Sequence, residues 1–236
     1  MNIALCILTY NEVDCLKHIY PTIPQPGEDS GYDALYAIDG GSTDGSIEFY
    51  QSHNVNVIGQ SRRGRGDAFL QAFDKIDADA YIFFSPDGNE DVNDIKKFRH
   101  YLETQNADIV IASRMMAGAK NEEDDNLFRW RKWANKSFNW LANRLFNQRA
   151  ADITDSINGF RAITKKAADQ LKLDAVDYTI EYQMTMRAFK HNLNIIEFPT
   201  IEGQRVHGET QASSIPTGLR FLKALWHEYC TRASTS

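Results

Sequence analysis

Four strongly apolar or aromatic residues, Tyr81 to Phe84, run without transition into Ser-Pro-Asp-Gly-Asn-Glu-Asp. A strand that hydrophobic has little reason to end in acids unless they face solvent or a cation. Asp87 and Asn89, two residues apart, offer the hard oxygen donors that Mg²⁺ or Mn²⁺ shares with substrate phosphates; a solvated turn is the alternative. A second acidic turn, IDGGSTDG, puts Asp39 at a strand end and Asp44 where it can cap the next helix. Arginines recur at loop-like positions: Arg62, Arg63 and Arg65 in SRRGRGDA, Arg114 in IASRM, Arg129 and Arg131, Arg161 in NGFRA, and Arg205 in GQRVHGE. A guanidinium presents a fork of donors matched to phosphate, so this recurrence beside an acidic turn points to a substrate with more than one phosphate. The glycines of GRG would let the backbone approach a ligand closely. The spacing is not that of a Walker loop, and no GxGxxG follows the first apolar run, which disfavours a dinucleotide dehydrogenase.

Such residues need a scaffold that brings distant segments to one edge. Apolar runs at Ile3 to Leu8, Leu35 to Ile38, Val55 to Ile58, Tyr81 to Phe84 and Ile109 to Ala112 alternate with helical patterns over Gly45 to Ser52, Asp67 to Ile76 and Val92 to Thr104. Uninterrupted apolar runs suit strands buried on both faces, so the expected fold is α/β, a mostly parallel central sheet flanked by helices. Right-handed crossovers would gather Asn11, Glu12, Asp39 and Asp87 in loops along one sheet edge.

Farther along, the acidic stretch Lys120 to Asn126 reads as a mobile loop. Trp130 to Phe146 follows, with Phe138, Leu141, Ala142 and Leu145 at helical spacing, a stripe read first as core packing. The tail from Pro216 to Arg232 sets Leu219, Leu222, Leu225, Trp226 and Tyr229 against charged residues. It can pack on the sheet, pair with another subunit or lie on a membrane surface.

The 236 residues, 42% hydrophobic, suffice for one substantial core. A formal net charge of −6 argues against nonspecific nucleic-acid binding. Cys6, Cys15 and Cys230 have no disulfide or zinc spacing and are expected as reduced thiols. The opening has no signal-peptide pattern, and no apolar run nears the roughly 18 residues of a membrane span, so the expected location is cytoplasmic.

Taken in order, the motifs resemble the family 2 glycosyltransferases, specifically the dolichol-phosphate mannose synthase group. ILTYNEVDCL is similar to the family's opening strand and turn, AIDGGSTDGS to DDGSTDG, and RRGRGDAF to RGKGxA. FFSPDGNEDVNDI stands in the place of DADLQHPPEDI with its DxD metal motif, IVIASRM in that of VIGSRY, and DSINGFRAI in that of DPTSGFRAF. The stretch from IEYQ to TQAS parallels the one running from RAxxxGxxIxEVP to DRxxGESKxS, so the likeness spans about residues 2 to 213.

This resemblance implies a GT-A nucleotide-diphospho-sugar transferase fold over residues 1–213; the amphipathic pattern beyond it gives a C-terminal helix over 214–236 that can meet a membrane surface or form a homodimer contact. By the same resemblance, Thr9, Tyr10, Asn11, Glu12 and Asp39 hold the nucleoside, and Arg65 and Asp87 lie near the diphosphate and metal. Asp87 and Asn89 are the matched ligands for Mg²⁺ or Mn²⁺. Arg114, Arg131 and Arg205 surround the donor and acceptor phosphates and join Asp87 as the catalytic set. Asp155, Gly159, Phe160 and Arg161 form the loop beneath the acceptor. The implied reaction is inverting transfer from a GDP- or UDP-linked sugar to a polyprenyl phosphate at the cytoplasmic face of a membrane.

Departures are specific. Ser85 replaces the first Asp of DxD, a weaker oxygen ligand; Gly40 replaces the second Asp of DDGS, which leaves the base open; Gln211 replaces the lysine of GESK; and the membrane helices of some relatives have no counterpart. Two alternatives remain: transfer to a glycan or lipid-linked saccharide hydroxyl, with Asp155 as the first base to test, or a noncatalytic partner subunit.

Overall fold

A computed structural model describes residues 1–124, 130–148, 151–204 and 214–231. The strands are β1 (Ile3–Thr9), β2 (Ala34–Asp39), β3 (Asn56–Gly59), β4 (Ala80–Phe84), β5 (Ile109–Ser113), β6 (Arg161–Thr164) and β7 (Ile195–Pro199). Helices are α1 (Val13–Ile19), α2 (Ser46–Ser52), α3 (Arg65–Lys75), α4 (Ile95–Thr104), α5 (Trp130–Phe146), α6 (Lys165–Leu171), α7 (Ile180–Lys190) and α8 (Ser214–Cys230). The strands form one sheet in the order β3-β2-β1-β4-β6-β5-β7, parallel except for β6, which runs against both neighbours.

Every residue of β1 is buried because both sheet faces are covered. Ala4, Cys6 and Leu8 point into a core shared with α3, α5, α6, α7 and α8, while Ile3, Leu5 and Ile7 meet α1, α2 and α4 on the other face. The two-residue period of a strand divides one apolar run between two cores. Phe69 of α3 stacks on Phe83 of β4 with centroids 3.7 Å apart, a contact worth about 0.5–1.5 kcal/mol beyond its burial.

The C-terminal ends of β1, β2, β4, β5 and β7 and the N-terminal end of β6 share one edge, as the parallel and antiparallel pairings require. Antiparallel β6 was outside the sequence expectation; its four residues are too few for a period to be read.

The described part of Lys120 to Asn126 is not the loose loop its composition suggested. Lys120 bridges to Ile201, and Asn121 and Glu123 are each 4% exposed. Glu202 fixes the stretch, accepting from Asn121 Nδ2 at 2.9 Å and the Glu122 amide at 3.1 Å. On α5, Ala142 is buried and Phe138, Leu141 and Leu145 pack against the core, as their spacing predicts. On α8 the buried hydrophobic residues, among those described, are Phe221 and Leu225, whereas Leu219, Leu222, Trp226 and Tyr229 are exposed. Buried Glu228 ties α8 to α7, taking Arg187 Nε at 2.8 Å and Lys190 Nζ at 2.6 Å. Among the described residues no helix is long and apolar enough to cross a membrane.

Candidate active site

A cleft of about 710 Å³ lies along the edge where the strand ends gather, within the range of small-molecule sites. Thr9, the last residue of β1, and Tyr10, Asn11 and Glu12 directly after it line one end. Thr9 Oγ1 shares a 2.7 Å hydrogen bond with the Tyr50 hydroxyl. Asn11 has φ 54°, a left-handed conformation asparagine tolerates, and its Oδ1 accepts the Thr43 amide at 2.9 Å. That bond clamps the β1 turn to the β2 turn. Arg63 stands 6.0 Å from the centroid of the Tyr10 ring.

Asp39 is 1% exposed and lies behind this wall instead of in it. Its carboxylate accepts the Gly41 and Ser42 amides at 2.8 and 2.7 Å and the Ser42 hydroxyl at 2.6 Å, so it shapes the turn that presents Gly40. Asp44 accepts from Val13, Ser46 and the Ser46 hydroxyl. Burial opposes its charge, but these bonds win and lower its pKa.

The glycines of GRG pack closely against protein, and Gly64 also lines the cleft. A Cβ on Gly64 would come within 2.1 Å of the Val176 carbonyl oxygen, and one on Gly66 within 2.2 Å of that of Ala175. This close packing seats the start of α3, whose first residue, Arg65, reaches the middle of the cleft. Arg65 Nε pairs with Glu181, and Nη1 donates to Ser85 Oγ at 3.1 Å. Burial works against its charge, while Glu181 and Glu90 sustain it and raise its pKa.

Asp87 and Asn89, each 7% exposed, enter the cleft from the turn after β4. Asn89 Nδ2 donates to Glu202 at 3.3 Å, but its buried Oδ1 has no hydrogen-bond partner. Burial first, and then the nearby Asp87 carboxylate, push Glu90 up to about 8 against the pull of Arg65. A hard divalent ion fits the oxygen donors of this turn. Among the described residues no three acidic, histidine or cysteine side chains form a metal cage; an ion held at this turn would complete its shell with substrate phosphates and water.

At the other end, Arg114 donates from Nε and Nη2 to Asp155 at 2.8 and 3.0 Å, and Nη1 lies 3.4 Å from Glu202. Burial disfavours its charge, but these carboxylates raise its pKa on balance. Asp155 is fully buried and does not line the cleft. Arg161 is likewise fully buried, with donors going to the carbonyls of Asn158, Glu181 and Ser156 at 2.6, 3.0 and 3.1 Å. Burial lowers its pKa to about 10. It stiffens the loop beneath the cleft instead of facing an acceptor. Arg131, in the first turn of α5, does line the cleft and pairs with Glu123 at 2.8 Å. Arg205 lies outside the described residues.

Glu90, Glu181 and Glu202 carry more of the geometry than sequence reasoning assigned them. Glu202 joins Asn89, Arg114, Asn121 and the Glu122 amide. Its only sequence signal is an acid just past an apolar strand, the same signal that marked Asp87.

The profile of the family described as Glycosyl transferase family 2 matches residues 4–172. Glycosyltransferase AglJ of Haloferax volcanii is 29% identical over 213 residues, covering 87% of this chain and 65% of that protein. Dolichol-phosphate mannosyltransferase of Pyrococcus furiosus is 24% identical, over 89% of this chain and 59% of that one. The chain thus spans about two thirds or less of the length of these two relatives. Undecaprenyl-phosphate mannosyltransferase of Micrococcus luteus is 24% identical, over 90% of this chain and 88% of that one. The solved glucosyl-3-phosphoglycerate synthase of Mycobacterium tuberculosis superposes with a TM-score of 0.73 at 15% identity, covering 100% of this chain and 82% of that one. Another structure of that synthase, with Mn²⁺, UDP and glucosyl-3-phosphoglycerate, gives a TM-score of 0.70 at 14% identity, over 100% and 81%. With the family profile over most of its length and this sheet order beneath it, the chain belongs to glycosyl transferase family 2 and has the GT-A fold.

Proposed function

We propose that the chain is an inverting glycosyltransferase that moves a sugar from a GDP- or UDP-linked donor to a polyprenyl phosphate at a membrane surface. The observation that carries this reading is one cleft walled by the oxygen donors of Asp87 and Asn89, the guanidinium groups of Arg65, Arg114 and Arg131, and helices α5 and α8. Those two helices also expose Trp130, Trp133, Trp140 and Trp226. The names of the Pyrococcus and Micrococcus relatives support a polyprenyl phosphate acceptor, and the synthase solved with Mn²⁺ and UDP supports a metal-assisted diphosphate.

Asp87 and Asn89 would hold Mg²⁺ or Mn²⁺, which when bound supplies positive charge to the departing diphosphate. Arg65 and Arg114, pinned by Glu181 and Asp155, keep their guanidinium groups oriented before substrate arrives. In the transfer, the bond from anomeric carbon to donor diphosphate breaks with its electron pair on the diphosphate. A bond from the same carbon to an acceptor phosphate oxygen forms on the opposite face. A phosphate monoester has a second pKa of about 6 and is mostly dianionic at neutrality, so no proton must leave the attacking oxygen. A hydroxyl acceptor would need a base, and Asp155, the residue first in line for that task, is buried and engaged by Arg114.

The α5 stripe Trp130, Trp133, Trp140 and the α8 stripe Leu219, Leu222, Trp226 lie opposite the buried faces of their helices. Phe138 and Phe221, 5.3 Å apart between centroids, join the two. Exposed Lys136, Arg144, Arg220 and Lys223 flank these stripes and suit anionic headgroups.

The test is incubation with a panel of GDP- and UDP-sugars, Mg²⁺ or Mn²⁺, and either a polyprenyl phosphate or a glycan. Sugar on the lipid phosphate is expected; product on the glycan alone overturns the acceptor, and metal-independent nucleotide binding without product overturns the enzyme. Asp87→Ala should abolish turnover in a folded protein, and Arg131→Ala should weaken acceptor use more than donor use.

A further inference from the structure

Ser85 stands where the resembling motif has its first acid, and its hydroxyl accepts from Arg65 Nη1. Five residues on, Glu90 folds back over the turn, and its Oε2 accepts the Ser85 amide at 2.8 Å. A carboxylate is thereby fixed against the main chain of the residue that lacks one. Aligned with DADLQHPPEDI, Glu90 falls on the histidine, so an acid absent at one position is matched by an acid gained at another.

Glu90 lines the same cleft as Asp87 and Asn89. Among the described residues its Oε1 accepts no hydrogen bond and Glu90 has no ion pair; the guanidinium of Arg65, whose charge acts on it, is held by Glu181. Independently, the amide oxygen of Asn89, a residue 7% exposed, has no hydrogen-bond partner in the same turn. A buried acceptor without a donor is the arrangement a cation resolves. We propose that Glu90 replaces the carboxylate missing at Ser85 and, with Asp87 and Asn89, holds the divalent cation.

This inference rests on the metal-dependent reading above, but its test needs no acceptor or sugar transfer. Mn²⁺ binding is followed by electron paramagnetic resonance, with Mn²⁺ alone and with saturating UDP or GDP, in the full chain. In Glu90→Gln the side-chain carbonyl can still accept the Ser85 amide, so the change removes charge while leaving the turn its bond. Affinity for Mn²⁺ should fall about ten- to a hundredfold, the scale on which supporting groups of metal sites act. In the double variant Ser85→Asp/Glu90→Gln the restored acid should recover most of that loss. If Glu90→Gln binds Mn²⁺ as wild type does while Asp87→Ala loses it, or if the double variant recovers nothing, the proposal is overturned. Should the single variant fail to fold, the double variant decides alone: near-wild-type affinity supports the assignment and absent binding refutes it. Wild-type protein that binds no Mn²⁺ with either nucleotide refutes the metal reading itself, a separate failure.

Discussion

The guanidinium of Arg65 occupies the space into which a side chain on Gly159 would grow: a Cβ there would lie 1.9 Å from Nη2. Arg65 cannot simply swing away, because Glu181 and Ser85 hold it from two other directions. Gly159→Ala should therefore cost about 1–3 kcal/mol of stability, as overpacking does. Its larger effect should be on turnover, which is expected to drop about 100-fold when a charged group lining the cleft is displaced by an ångström or so. Steady-state kinetics beside a urea melt separates the two. Full activity in the variant would mean that Arg65 has room the geometry denies it.

Asp155 makes two side-chain bonds to Arg114 and accepts that residue's amide at 3.1 Å. Asp155→Asn leaves a largely buried guanidinium with Glu202, 3.4 Å away, as its remaining carboxylate. The expected loss is about 3 kcal/mol, the low end for breaking a buried pair, since Glu202 still compensates part of the charge. Chemical denaturation measures it, and a loss below about 1 kcal/mol would show that Glu202 suffices.

Strands β1, β2, β4 and β5 were legible because burial on both faces leaves an unbroken apolar run, and the helices between them have a clear period. The α/β fold and the edge carrying Asn11, Glu12 and Asp87 follow from those patterns. Asp39 shows the limit: its position at a strand end was readable, but the bonds that turn its carboxylate inward, to Gly41 and Ser42, depend on local backbone geometry. Arg161 resembles the cleft-lining arginines in type, and only its three-dimensional surroundings distinguish it. Glu181 and Glu202 act across sequence separations of 116 and 88 residues from Arg65 and Arg114, and spacing along a chain does not encode such pairs.

Asp67 predicts an acid-dependent loss of stability at the turn before α3. Burial raises its pKa, but the amides and side chains of Ser61 and Arg62 outweigh that and hold it lower than usual. With the folded pKa below the unfolded value of about 3.9, the unfolded chain binds the proton more readily. The stabilisation is therefore complete well above that value and disappears as pH falls through the folded pKa. Asp67→Asn should be less stable than wild type at pH 7, and the gap should close as pH falls below about 4. Paired urea titrations across that window check it; a pH-independent gap would assign the loss to hydrogen-bond geometry instead of charge.

Trp133 and Trp226 are 67% and 68% exposed, one on each of the two helices that border the cleft. Neither supports the core, so Trp133→Ser and Trp226→Ser should each change folding stability by no more than about 0.5 kcal/mol. Transfer of an indole from water into the headgroup region is worth more than that: each change should weaken binding to phosphatidylglycerol-containing vesicles about tenfold. Raised salt should weaken binding further by screening Lys136, Arg220 and Lys223. Vesicle co-sedimentation gives the partition coefficients, and sedimentation equilibrium without lipid tests whether the same face joins two copies. A double variant that still binds vesicles normally would remove these tryptophans from the membrane contact, and a wild-type dimer that dissociates on either substitution would assign them to a protein interface instead.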